Sequence, residues 1–209
     1  MSYDYTTVAQ LTVTEKHVEK SRFICALKGI SNAEEAKDFI AEICKAHPFA
    51  THNCYAYITE EEQAIRMKYS DDGEPQGTAG LPMLEVLKLN GLHNVVAVVT
   101  RYFGGIKLCA GGLVRAYSSS VADAVKSAKL ATSIGATLWE IRCDYENYTP
   151  LLKLLTNFGA EKVDTQFDSE VIVTVAIKNE DNASFQTKIK ELFGGKPNIH
   201  DKGQTKIFV

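Results

Sequence analysis

Hydrophobic and polar positions along this chain follow two rhythms, and their succession predicts its elements. "LWEIRCDY" (138–145) alternates strictly, as a half-buried strand does. "NVVAVV" (94–99) is continuously apolar, which predicts a strand covered on both faces. "TVAQLTVTEKHVEKSRFICAL" (7–27) reads as two β-rich segments. "SNAEEAKDFIAEICKAHP" (31–48) has helical spacing, with Ala36, Phe39, Ile40 and Ile43 on one face. Ser31 and Glu34 are placed for a capping box, and His47-Pro48 for a stop. "THNCYAYI" and "AIRMKYS" predict two strands around the acidic turn "TEEEQ". "GTAGLPMLEVLKLNG" predicts a short helix starting near Thr78 or Gly80 and ending before Gly91. After "NVVAVVT" comes a glycine-rich loop, then a long helix with Leu113, Tyr117, Val121, Ala124 and Ala128 on one side.

"LATSIGAT" (130–137) predicts a linker. Beyond it the order is strand, helix ("PLLKLLTNF", with Pro150 in its first turn and Gly159 as its stop), two strands around "DS", a second helix ending at Gly194, and a last strand in "TKIFV". That βαββαβ succession is the ferredoxin-like arrangement. The first half is expected to be an α/β unit on a mixed sheet. The predicted domains are residues 1–132 and 136–209, in an α/β (α+β) chain of 209 residues, a comfortable length for two.

Charge changes this picture only locally. The net charge of -3 excludes a generally basic nucleic-acid protein but not a basic patch. Residues 60–85 carry seven acids against Arg66 and Lys68, and residues 86–130 carry six cations against Asp123. These segments, of net -5 and +5, either pair with each other or present separate faces. Five cysteines without a CxxC spacing argue against a disulfide framework and a cysteine-rich zinc site. "MSYDYTTVAQ" lacks the pattern of a secretory signal, and no apolar run approaches membrane-spanning length. A reducing cytosol is the expected setting.

Candidate chemistry centres on "TRYFGGIKLCAGGLVRAY" (100–117). A glycine loop before a helix N-terminus exposes amides and a partial positive charge, which together suit an anion such as phosphate. Arg101, Gly104, Gly105, Lys107, Gly111, Gly112 and Arg115 are the candidate phosphate or nucleic-acid contacts, with the three cations able to converge on one anion. Neither the P-loop nor the dinucleotide register is present. The plainer reading is that these glycines only turn the chain and pack the helix. In "YSDDGEPQGTAGLP", Asp71, Asp72 and Glu74 form an acidic cluster that suits a metal beside bound phosphate, or simply a turn. His52 and Cys54 share a strand face, where a buried cysteine beside a satisfied histidine is a simpler reading than a catalytic pair. No cofactor motif is found.

"SDDGEPQGTAGLPML" followed by "VVAVVTRYFGGIKLCAGGLVRAY", with "THNCYAY" upstream, closely resembles the signature of the IMPACT family of uncharacterised and translation-linked proteins. The resemblance covers most of residues 1–130, and the remainder looks like the small ferredoxin-like domain of bacterial members. It implies an N-terminal α/β sandwich shaped like the second domain of a small-subunit ribosomal protein and domain IV of elongation factor G. It also implies a C-terminal domain like that factor's domain V. Eukaryotic members carry an added RWD domain, absent here, and restrain a starvation-response kinase. Cys109 and Ser118 stand where the family pattern has glycine.

The leading expectation is a non-enzymatic RNA- or ribosome-binding protein that regulates translation. The alternatives are an enzyme acting on a phosphorylated small molecule, and a protein-interaction module. The position of the acidic turn discriminates between them. A concave pocket between turn and glycine loop favours the small molecule; cations on an open face favour nucleic acid.

Overall fold

The computed structural model describes residues 4–61 and 64–209 of the chain. Glu62 and Gln63, in the predicted acidic turn, lie outside the described residues. The chain forms two compact units, Tyr5–Ala131 and Thr132–Val209, with Asp4 grouped with the latter.

The first unit contains β1 (Tyr5–Val8), β2 (Thr12–Val18), β3 (Ser21–Gly29), α1 (Ala33–Ala46), β4 (His52–Glu61), β5 (Ala64–Ser70), α2 (Gly80–Leu89), β6 (Val95–Tyr102) and α3 (Ala110–Ser127). Its main sheet has the order β2-β3-β6-β4-β5. Every pairing in that sheet is antiparallel, so the expected mixed sheet is corrected. β2 and β3 are neighbours in the chain and in the sheet, as are β4 and β5, and β6 enters between β3 and β4.

Both faces of the sheet are covered, which explains the unbroken apolar run in β6. Val95, Ala97 and Val99 pack into a core with residues of α2 and α3. Val96 and Val98 pack on the other face with Ala36 and Phe39 of α1. Ile40 and Ile43 flank that second core, so the helical face expected for α1 is the buried one.

The α1 cap is shifted by one residue. Asn32, not Ser31, is the N-cap, and its side chain accepts the Glu35 amide at 2.9 Å. The Glu35 carboxylate returns to the Ser31 amide at 2.8 Å. The Ser31 amide, with help from Lys28, holds the Glu35 carboxyl below the usual range.

The second unit holds β7 (Leu130–Cys143), α4 (Tyr145–Asn157), β8 (Glu161–Phe167), β9 (Val171–Lys178), α5 (Asn182–Leu192) and β10 (Asn198–Phe208). These four strands run β10-β7-β9-β8, all antiparallel, which is the ferredoxin-like order. Trp139, Ile141, Leu151, Phe185 and Ile189 belong to its core beneath the helices.

Two boundaries differ from expectation. "LATSIGAT" is not a linker but the first half of β7, because residues 133–137 pair with β10. α4 begins at Tyr145 with Asp144 as its cap, accepting the Asn147 amide at 2.9 Å, so Pro150 lies inside the helix. Among the described residues no helix is long and apolar enough to cross a membrane.

Candidate functional site

The glycine stretch splits between loop and helix. Gly104 and Gly105 lie in the loop after β6, whereas Gly111 and Gly112 form the first turn of α3. Each glycine answers to a different constraint. A Cβ on Gly104 would run into the Lys20 carbonyl of the β2–β3 turn, so Gly104 is fixed by packing rather than by ligand approach. Gly105 takes φ +88°, a left-handed turn that glycine adopts at no steric cost. A Cβ on Gly112 would make only ordinary contact with Cys109 and Leu108. Gly111 is exposed and helical, and a Cβ there would meet nothing within 4 Å.

α3 starts without a side-chain cap. The N-cap, Cys109, contributes only its carbonyl, which accepts the Leu113 amide at 2.9 Å. The amides of Ala110, Gly111 and Gly112 precede that first intrahelical bond, at the positive end of an 18-residue helix. Lys107, two residues before the N-cap, and Arg115, in the second turn of the helix, are exposed, as are Phe103 and Ile106 on the loop.

Arg101 is the main correction. It is buried, with 5% exposure, and cannot serve as a mobile surface cation. Strand register places it between Phe23 of β3 and His52 of β4, on the sheet face that carries α2 and α3. Its Nη1 donates to Glu74 Oε1 at 2.6 Å, and its Nη2 donates to Ser21 Oγ at 3.3 Å. The guanidinium lies 5.4 Å from the Phe23 ring centroid and 5.7 Å from that of Phe103. Its Nε–H is buried without a partner. Such a pair resists separation, because removing one member leaves a buried charge at a cost of about 3–5 kcal/mol.

The three carboxylates of the acidic turn take different partners. Among the described residues no three metal-ligating side chains come together. The Asp71 carboxylate accepts the amides of Gly77, Ala79 and Gly80 at 2.8, 3.0 and 2.8 Å, and so caps α2 from outside the helix. Asp72 accepts the Asn53 amide at 2.6 Å. Glu74 alone turns inward, where Oε1 also accepts the Tyr117 hydroxyl at 2.8 Å. Burial pushes that hydroxyl's pKa well above the usual tyrosine range.

His52 and Cys54 take separate roles. Cys54 is buried, its thiol 2.9 Å from the Asp71 carbonyl, and burial pushes its pKa up to about 12. His52 Nδ1 lies 2.7 Å from the Asp72 carbonyl. A carbonyl can only accept, so the proton sits on Nδ1. Nε2 then lies 3.8 Å from Glu74 Oε1.

The acidic turn and the glycine loop meet across a cavity of about 240 Å³, the arrangement expected of the small-molecule alternative, while Ala110, Gly111 and Arg115 stay outside it on exposed surface, as expected for nucleic acid. Glu74 and Pro75 come from the turn, and Arg101, Phe103, Lys107 and Leu108 from the strand end and loop; Thr51, His52 and Leu113 complete the lining. Arg101 and Lys107 share this cavity, while Arg115, Asp71 and Asp72 do not line it. The opposite charges of the two segments foreshadow the Glu74–Arg101 pair. Nothing in local spacing signals that Thr51, His52 and Phe103 join it.

A model of the Impact N-terminal domain matches residues 19–125, just over half of the chain. The chain belongs to the IMPACT family. A second model, described as a domain of unknown function (DUF1949), matches residues 141–196. The IMPACT family member YvyE of Bacillus subtilis is 40% identical over 96% of this chain and 92% of its own length. The IMPACT family member YigZ of Escherichia coli is 35% identical over 90% and 92%. A crystal structure titled as a hypothetical protein superposes with a TM-score of 0.65 at 32% identity, covering 95% of this chain and 97% of its own. In this IMPACT chain the family signature therefore coincides with the buried Glu74–Arg101 pair, the Asp71 cap and the glycine loop.

Proposed function

We propose that this chain binds RNA phosphates, on the ribosome or on RNA bound to it, through the glycine loop and the start of α3, and that it acts in the regulation of translation. Gly111 carries the reading. A glycine in a helix costs up to about 1 kcal/mol relative to alanine, less in the first turn than in the interior. Neither a left-handed φ nor a packing neighbour calls for it here. Close backbone approach by a ligand does. The amides of Ala110, Gly111 and Gly112 and the side chains of Lys107 and Arg115 supply the donors and charge that a phosphate requires. Phosphate contacts position without reading bases, so this face alone binds with little sequence preference. The family resemblance supplies the setting in translation.

Co-sedimentation with ribosomes over a salt series tests the proposal. Binding is expected to weaken as salt rises. Lys107→Ala and Arg115→Ala should each lower the salt slope by about 1, with thermal melts unchanged. Parental co-sedimentation of the double variant at every salt concentration would sink it.

A further inference from the structure

We infer that the cavity between the acidic turn and the glycine loop seats one unstacked nucleobase of a single-stranded RNA, its phosphate held at the mouth by Lys107. The inference rests on the RNA reading above and adds what enters the cavity.

Charge placement selects the ligand. Arg101 is already neutralised by Glu74 at 2.6 Å, so the floor is a dipolar pair rather than a cationic nest. A bare phosphate driven to that floor would face the Glu74 carboxylate. The one exposed cation in the lining is Lys107, and it belongs to the loop, where a phosphate can stay solvated. The floor offers an acceptor instead. Glu74 Oε1 takes both of that side chain's hydrogen bonds, which leaves Oε2 as an acceptor. The edge of a nucleobase carries amine and ring N–H donors that can answer it.

The walls agree. Phe103, 46% exposed, offers a ring for stacking, and Pro75, Leu108 and Leu113 offer apolar contact. About 240 Å³ lies below the range of drug-sized pockets, which suits one base. An unstacked base on an aromatic side chain beside a phosphate-binding cation is how single strands are commonly held.

Fluorescence anisotropy with a labelled single-stranded RNA, and with the same oligonucleotide made abasic, tests this. The parent should bind the intact strand more tightly than the abasic one. Phe103→Ala should weaken binding to the intact strand by about 5- to 150-fold and leave abasic binding and the salt slope unchanged. Phe103→Trp, which keeps a stacking ring, should restore the affinity. Lys107→Ala should weaken both ligands. If Phe103→Ala binds intact RNA like the parent while Lys107→Ala loses affinity, the base pocket is wrong and the phosphate reading stands. Equal weakening of intact and abasic strands by Phe103→Ala would also overturn the pocket, because the ring would then act on the loop. Parental binding by both variants removes both readings.

Discussion

Gly111 and Gly104 look alike in the sequence and differ in what holds them. Gly104 has the Lys20 carbonyl against its Cα, and any side chain there must displace the β2–β3 turn. Gly111 has open space. Gly111→Ala is therefore expected to raise stability by a fraction of the about 1 kcal/mol that this exchange gains in a helix interior, because Gly111 lies in the first turn, and to weaken ribosome co-sedimentation. A thermal melt beside the sedimentation assay checks both halves. If the loop only turned the chain, the same variant would leave sedimentation unchanged. Arg101 gives the complementary lesson. Its place at a strand end beside glycines suggested a phosphate ligand, yet its charge is spent on Glu74, 27 residues earlier in the chain.

At the scale of elements, apolar period located strands and helices well, and polar caps located their ends less well. The buried faces of α1 and α3 follow the spacing of their apolar residues. The starts of α1 and α4 depend on which neighbouring polar side chain turns back to the amides. Asn32 does so for α1 and Asp144 for α4. α2 has no cap of its own, and the Asp71 carboxylate takes that role from the preceding turn. Asp71→Ala removes a charged acceptor from three amides and should cost about 1–3 kcal/mol in urea unfolding. Glu85→Ala, which removes only an exposed pair with Lys88, should stay within about 0.5 kcal/mol of the parent. A small effect of Asp71→Ala would mean that water caps α2 as well as the carboxylate does.

For the whole molecule, burial of acidic hydrogens sets the response to alkali. Cys25 and Cys54 lie in the core of the first unit, and burial pushes both thiols from 9.0 up to about 12. Their folded pKa is raised, so their contribution to stability is complete below pH 9 and is lost as pH rises towards 12. Each thiol should cost up to about 1.4 kcal/mol per pH unit across that window. Denaturant unfolding of the parent should therefore steepen its decline above pH 9, and the Cys25→Ala, Cys54→Ala double variant should decline less steeply from its lower starting point. Equal slopes would show that the buried thiols do not govern the alkaline limb. The sequence by itself determined the strands and helices, the βαββαβ order of the second unit, and the family signature. These are properties of neighbouring residues, because a repeat of two or of 3.6 fixes which face is apolar. Tertiary structure alone decided that the main sheet is wholly antiparallel and that residues 130–137 are strand. It also decided that Arg101 is buried against Glu74 and that His52 and Phe103 share a cavity with Lys107. Those outcomes follow from strand register and long-range packing, and the partner of a polar side chain is chosen in space rather than along the chain.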